Sequence, residues 1–180
     1  LIVCWPESPL VCVGYFQEVE KEVDVDYCER NNIPVVRRIL GGGAVYLDSN
    51  QVFYQIVGQR DGRVIPVDIE AMFRKILDAP TRTLQDLGVP AAYKPVNDIE
   101  VEGRKISGNG ACEVDGIAIM TGNLILDFNY DEMTKILIVP DEKFRDKLTK
   151  SLRERVTTLK RELGLIPERQ KVRELLVKHF

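Results

Sequence analysis

Asn97-Asp98-Ile99-Glu100-Val101-Glu102-Gly103-Arg104-Lys105-Ile106-Ser107-Gly108-Asn109-Gly110-Ala111-Cys112-Glu113-Val114-Asp115-Gly116-Ile117-Ala118-Ile119-Met120 holds two reversals in one stretch. Residues 99–101 and 104–107 flank Glu102-Gly103, and residues 111–114 and 117–120 flank Asp115-Gly116. Asp-Gly between short runs of β-branched residues is a strong signal for a two-residue hairpin. The stretch therefore reads as an antiparallel meander, with Gly108 and Gly110 forming a loop between strands.

The rest of the chain extends that sheet and covers it. Residues 1–5 and 10–13 read as two strands joined by a turn at Pro6, Ser8 and Pro9, and residues 35–39, 44–47 and 51–57 read as further strands. Residues 124–126 add another, and residues 136–139 an edge. A short helix is expected over 24–32 with Asp24 as N-cap, and a second from Asp68, broken at Pro80 and closed by Gly88. Residues 141–180 read as C-terminal helices: a long amphipathic one with Phe144, Leu148, Leu152, Val156, Leu159 and Leu163 on one stripe, closed by Gly164, then one over 168–178. Hairpins with helices between and after them predict an α+β fold on a mixed, mostly antiparallel sheet, as a single domain over residues 1–180. The chain opens as though in mid-strand, so a leading segment is expected to precede it.

The net charge is −3. It offers no general attraction for nucleic acid or an anionic membrane, so any anion site must be local. No apolar run approaches the roughly 20 residues needed to span a bilayer. Cys4, Cys12, Cys28 and Cys112 have no CxxC spacing and His179 is the only histidine, which argues against a zinc site and against a Cys/His dyad. Scattered thiols without a dense disulfide framework suit a reducing, cytoplasmic compartment.

Two segments are candidates for chemistry. Arg37-Arg38-Ile39-Leu40-Gly41-Gly42-Gly43 puts three glycines after a strand, which is costly in chain entropy unless something approaches the backbone or φ turns positive. Successive N–H groups make an anion-binding concavity, with arginine charge beside it. Since alternate strand residues face opposite ways, one of the two arginines is expected to reach a ligand. The bland alternative is a tight turn. In the second segment, Lys105 delivers a point charge beside Gly108 and Gly110. At about 4 Å a lysine and an anionic oxygen attract by roughly 4 kcal/mol at an effective dielectric of 20. Its bland alternative is a solvated surface lysine. Neither segment has P-loop or GxGxxG spacing.

In order and spacing, Arg-Arg-x-x-Gly-Gly-Gly-Ala-Val-Tyr, then Asn97-Asp98-Ile99, then Gly-Arg-Lys-Ile-Ser-Gly-x-Gly-Ala resembles the lipoate–protein ligase A family. Gly14 and Gln17 match its early Gly-x-x-Gln, Thr121 to Leu126 its His-Gly-Thr-Leu-Leu-Leu strand, and Phe144-Arg145-Asp146-Lys147 the helix near the end of its catalytic domain. The resemblance implies the α+β domain shared with biotin ligases and octanoyl transferases. It also implies a two-step reaction. Lipoate and ATP with Mg²⁺ give lipoyl-adenylate, which a lysine of a lipoyl domain, as on 2-oxoacid dehydrogenase E2 or glycine-cleavage H protein, then attacks.

Carried over by position, Lys105 is implied as the catalytic lysine at the carboxylate and α-phosphate. Arg38 with Gly41, Gly42 and Gly43 would hold the acyl-adenylate, and Ala44, Val45 and Tyr46 would line the lipoyl side. Asn97 and Asp98 would lie near the phosphates, Asp98 as a Mg²⁺ ligand. Ser107, Gly108 and Ala111 match the adenylate loop. Against these stand simpler readings: Val45 and Tyr46 as core, Asp98 as a turn residue. Cys112, which would be the nucleophile of an octanoyl transferase acting from acyl carrier protein, is read as a packed thiol. A non-catalytic lipoyl- or adenylate-binding module is the third alternative. Leu47-Asp48 stands where the ligases commonly have His-Asp, Asn50 and Gln51 where Gly and Asn are usual, and Thr121 where His is usual. The resemblance further implies an accessory domain, fused or on a separate small protein.

Overall fold

In the computed structural model, which describes Leu1–Phe180, the two turns behave as their chemistry demands. Glu102 and Gly103 have φ of 50° and 79°, and Asp115 and Gly116 have 50° and 77°, the paired positive φ of a type I′ turn. The turns join β7 (Asp98–Val101), β8 (Arg104–Val114) and β9 (Ile117–Ile125). Each of the last two is one strand where two were expected. Gly108 stays in register with Asp98 of β7 and Gly110 with Thr121 of β9, so the loop expected around these glycines is ladder instead. A register shift at Ile99/Glu100 bends the pairing beside them, as a β-bulge does.

β9 also pairs with β5 (Gln51–Gln59), β5 with β1 (Ile2–Cys4), and β7 with β6 (Ala92–Lys94), giving a six-stranded antiparallel sheet in the order β1-β5-β9-β8-β7-β6. A separate three-stranded sheet is ordered β3-β2-β4, with β2 (Leu10–Val13) parallel to β3 (Val35–Arg37) and antiparallel to β4 (Val45–Leu47). The first two strands, expected as a pair, thus belong to different sheets. Pro6 and Pro9 lie in the connection and lack the N–H groups that a hairpin ladder would use there.

Asp24 caps as expected, and Asp68, where the next helical pattern begins, caps too. Asp24 accepts from Tyr27 N ahead of α2 (Val25–Arg30), and Asp68 from Ala71 N ahead of α3 (Ile69–Ile76); a short α1 (Val19–Glu22) precedes them. The break expected at Pro80 is present a few residues earlier, with α3 ending at Ile76 and a second helix following. Pro80 lies in the first turn of α4 (Asp78–Asp86), where a missing N–H costs nothing. The edge strand expected over 136–139 is absent: Ile136 ends α5 (Tyr130–Ile136), capped by Asn129, and Leu137 makes a single bridge to Val23.

The long C-terminal helix is two. Asp141 caps α6 (Glu142–Arg155), and Thr158 caps α7 (Leu159–Leu163). Between them Val156 bridges to Lys105 and Thr157 N donates to Lys105 O at 2.8 Å. A tertiary strand-like contact has displaced helical hydrogen bonds. α8 (Arg169–His179) buries Val172, Leu175 and Leu176.

One face of the large sheet, bearing Val52, Tyr54, Met120 and Leu124, packs with residues of α3, α4, α7 and α8 into a core of 20 buried residues. A second core of 9, including Val11, Val13, Tyr46, Met133 and Ile136, joins the small sheet to α2 and α5.

Candidate functional site

Both arginines of the first segment are spent on backbone. Arg37 Nη1 donates to the carbonyls of Gly14, Tyr15 and Gln17 at 2.9, 2.9 and 2.7 Å. On the opposite side, Arg38 Nη1 donates to Cys12 O at 3.0 Å, Nε and Nη2 to Gly41 O at 3.2 and 2.8 Å, and Nη2 to Gly43 O at 2.8 Å. Strand alternation sends the neighbours to different loops. Arg38 was expected to hold the ligand; its nitrogens instead hold the carbonyls of the glycine triad, leaving its charge beneath the loop.

The two loops interlock. Tyr15 N donates to Leu40 O at 2.8 Å, and a Cβ on Gly14 would lie 1.9 Å from Gly42 O. Gly42 itself has φ of 95°, a conformation that favours glycine. With the carbonyls turned toward Arg38, the N–H groups of Gly41, Gly42 and Gly43 meet no protein acceptor, and all three residues are exposed. A run of free donors beside the half-buried Arg38 cation suits an anionic oxygen.

The second segment reaches the same place from the large sheet. Leu40 Cδ2 lies 3.7 Å from where a Gly110 Cβ would be, so the triad loop sits over β8. Lys105 Nζ lies 2.5 Å from Asp98 Oδ1, the side chains 37 % and 32 % exposed. Asp98 Oδ1 receives no aligned hydrogen bond although water is excluded from it, so the contact is a charge pair rather than a well-directed bond. The lysine stem passes Gly108, with Cε 3.6 Å from that residue's missing Cβ.

A chain of amides fixes this strand region. Asn97 Nδ2 donates to Asn109 O at 2.6 Å, and Asn109 Nδ2 returns to Asn97 O at 2.9 Å. Tyr54 OH donates to Asn109 Oδ1; burial pushes the Tyr54 phenol up, keeping it a donor. Ser107, fully buried, receives Asn109 Nδ2 at 3.1 Å. Gly108 N donates to Asn123 Oδ1 at 2.8 Å, Asn123 Nδ2 to Gln51 Oε1 at 3.0 Å, and Gln51 Nε2 to Tyr46 O at 3.2 Å. The second chain therefore ends on β4, the strand that leaves the triad.

Of the residues singled out, Lys105, Asp98 and Gly108 meet on β7 and β8 with Asn97 held beside them, and Leu40, which leads into Gly41, Gly42 and Gly43, lies over the same strand at Gly110. Ala44 and Tyr46 are buried in the second core and Ala111 packs against the first, so their side chains serve packing; Val45 reaches the surface. Asn109 and Asn123 were not expected at the site, and Gln17 and Gln51 entered only through the family resemblance, with no structural role assigned. The only signal for Asn109 and Asn123 was an amide between glycines or among strand apolar residues. The Cys112 thiol is pushed up by burial, which opposes a resting thiolate. His179 lies elsewhere, its Nε2 2.9 Å from Asp86 Oδ2.

No cluster of three or more His, Cys, Asp or Glu side chains is present, and no helix is long and apolar enough to cross a membrane. Two surface recesses of about 490 and 590 Å³ lie away from this site, one beside Trp5 and Arg169, the other beside Tyr130 and Arg153.

The model of the lipoyl protein ligase A/B catalytic domain matches residues 1–180. Lipoate-protein ligase A subunit 1 of Thermoplasma acidophilum is 36% identical over 159 residues, 83% of this chain and 59% of the relative. Lipoate-protein ligase LplJ of Bacillus subtilis is 33% identical over 179 residues, 99% of this chain and 53% of that protein. The chain thus spans somewhat over half the length of these ligases. The octanoyltransferase LipM of Moorella thermoacetica is 26% identical, with 96% of this chain and 70% of the relative covered.

Among solved structures, a bi-partite lipoate protein ligase from Thermoplasma acidophilum, described with its E2 lipoyl domain, superposes with a TM-score of 0.84 at 34% identity, over 96% of this chain and 66% of that one. A lipoate-protein ligase A bound with ATP gives 0.78 at 30%, over 96% and 68%. A biotin protein ligase from Aquifex aeolicus shares the fold, at 0.55 and 14% identity over 73% and 51%. On sequence and structure together, this chain belongs to the lipoyl protein ligase A/B catalytic domain family.

Proposed function

We propose that the chain is the catalytic part of an ATP-dependent lipoate–protein ligase. The observation that carries this reading is the triad of unpaired Gly41, Gly42 and Gly43 N–H groups, held open by Arg38 and approached across Gly110 by the strand bearing Lys105. ATP in one structural relative and lipoic acid in another from Thermoplasma acidophilum support the substrates.

In the first step the lipoate carboxylate attacks the α-phosphorus. A C–O–P linkage forms, the bond to the β-phosphate oxygen breaks, and pyrophosphate leaves. Lys105 offsets the charge that gathers on the carboxylate and phosphoryl oxygens, and the triad N–H groups fix the phosphoryl group. Lys105 turns from Asp98 to do so, exchanging the carboxylate for the substrate's anionic oxygens. In the second step a lysine amine of the acceptor attacks the acyl carbon, the amide forms, AMP leaves and the amine loses a proton to solvent. Lys105 again faces the tetrahedral oxyanion.

Asp98 fits one position of a Mg²⁺ ion, since its Oδ1 is shielded and lacks an aligned donor and Mg²⁺ is commonly held by one or two carboxylates plus substrate phosphates. When bound there, the ion would supply charge neutralisation on the phosphates. An accessory subunit is supported by the bi-partite relative.

The test is lipoate-dependent pyrophosphate release by the purified protein, with and without a candidate accessory subunit. Lys105→Ala is expected to lower the rate by about 10²-fold or more, and wild-type turnover in that variant would remove the role given to Lys105. The octanoyltransferase relatives support a second reading, acyl transfer from acyl carrier protein through Cys112. Mass spectrometry after incubation with octanoyl carrier protein distinguishes it, by an octanoyl adduct on Cys112; the raised thiol predicts none.

A further inference from the structure

We infer that Glu162 is a positioning residue for Lys105, because one of its carboxylate oxygens ties the residue before that lysine to the residue that bonds the lysine's carbonyl. The pairing of β8 with β9 ends at Asn109 and Gly122, so residues 104–108 of β8 pair with β7 alone among the strands, and the register shift at Ile99/Glu100 makes that side irregular. The open edge is filled from elsewhere. At Gly108 the acceptor is the Asn123 side chain. At Lys105 the connector between α6 and α7 lies alongside as a parallel bridge, with Val156 opposite the lysine and Thr157 N donating to Lys105 O at 2.8 Å.

Thr157 is fully buried, and its hydroxyl donates to Glu162 Oε1. Arg104 Nη2 donates to the same oxygen at 3.2 Å, with both side chains largely shielded, and also meets the exposed Glu102 carboxylate at 3.2 Å. Arg104 and Lys105 are successive strand residues, so their side chains leave opposite faces: Arg104 goes to Glu162 and Lys105 to Asp98. Glu162 is itself held in place. Thr158 caps α7 by accepting from Arg161 N at 3.1 Å, and Lys160 N donates to Leu126 O at 2.8 Å. Desolvation offsets much of the attraction in a shielded ion pair, so what the contact contributes is register: it fixes where the Lys105 backbone lies and hence where the ammonium reaches. A displacement of about 1 Å at a reacting group costs on the order of 10²-fold in rate.

The role given to Glu162 rests on the proposed ligase reading; the bracket around Lys105 rests on the geometry. The test is lipoate-dependent pyrophosphate release by the whole protein, run beside hydrogen exchange at the Thr157 amide. Glu162→Ala is expected to lower kcat by about ten-fold with KM for ATP unchanged, and Glu162→Gln, still an acceptor for both partners, to recover most of that loss. Added to Lys105→Ala, Glu162→Ala is expected to slow the enzyme no further, since a residue that acts through the lysine then has nothing left to position. Thr157→Val keeps the N–H and loses only the hydroxyl, and gives the same non-additive pattern at smaller size should Glu162→Ala not fold. Wild-type kcat in Glu162→Ala, or a loss in either variant that multiplies with that of Lys105→Ala, would overturn the inference. Faster exchange at the Thr157 amide is expected in Glu162→Ala, and unchanged exchange would overturn the bracket. A wild-type protein that releases no pyrophosphate, while Glu162→Ala still speeds that exchange, would refute the ligase reading and leave the bracket standing.

Discussion

Gly14→Ala tests the interlocked loops directly. The added Cβ would lie 1.9 Å from Gly42 O, 2.9 Å from Gly42 C and 3.2 Å from Gly41 C, where real Cβ contacts stay beyond 3.0 Å. The difference, 3.0 minus 1.9, requires the triad to retreat by at least 1.1 Å. That retreat is resisted, because Gly41 O and Gly43 O are held by Arg38 and Leu40 O by Tyr15 N. Overpacking against backbone costs about 1–3 kcal/mol, and giving up one charge-assisted hydrogen bond adds about 1.5–3 kcal/mol. A total of about 2.5–6 kcal/mol would lower Tm by roughly 5–24 °C in a protein of this size. The neighbouring glycines grade the effect. A Cβ on Gly43 meets nothing within 4 Å, so Gly43→Ala should stay within about 0.5 kcal/mol of wild type. Gly42→Ala, with φ of 95° and Arg38 Nη2 at 2.9 Å, should fall between, at about 1–2 kcal/mol. Thermal and urea unfolding of the three variants give the order Gly43, Gly42, Gly14. A Gly14→Ala protein as stable as Gly43→Ala would refute the interlock. Because the triad N–H groups move with their carbonyls, Gly14→Ala should also weaken binding of a non-hydrolysable acyl-adenylate, read by calorimetry.

Asn123→Ala strips Gly108 N of its acceptor and Gln51 of its donor in a buried setting, and should cost about 1–3 kcal/mol in urea unfolding; a neutral effect would show that water or a neighbour serves them equally well. Tyr27 OH donates to Glu132 Oε1 at 2.6 Å, and that bond, with burial and the Glu132 charge, pushes its phenol from 10.0 up to about 12. The folded value lies above the unfolded one, so the stabilisation is complete below about pH 10 and lost as pH rises toward about 12. Tyr27→Phe should therefore be less stable than wild type at neutral pH, with the gap narrowing across that alkaline window. Parallel stability curves for the two proteins would sink this reading of the Tyr27–Glu132 contact.

What the sequence made legible was local. Asp24, Asp68, Asp141 and the two I′ turns act within three or four residues of themselves, so their chemistry is complete in the string. What it hid was non-local. Residues 156–158 carry on an amphipathic stripe, and only the arrival of Lys105 from another part of the chain turns them into a strand-like break. The amides of Gln51 and Asn123 become partners through the β5–β9 register, 72 positions apart, and neither residue alone announces it. Similarly, Pro6 and Pro9 gave a turn but could not say that the strands on either side would join different sheets.

The arginines have partners within the chain that the sequence did not announce. Three glycines in a row offer three N–H donors to a ligand, yet they also present three carbonyls, and a loop with nothing to hold those carbonyls is free to rotate its donors away. Arg38 resolves that conflict by taking the carbonyls of Gly41 and Gly43, and Arg37 does the same for the loop of Gly14 to Gln17 that braces it. Their guanidinium charge still lies beside the donors, so it favours an anion without touching it. On this view Arg38→Lys, which keeps the charge but not the fork that spans two carbonyls, should disorder the triad nearly as much as Arg38→Ala. The arginine is needed for its shape as well as its sign.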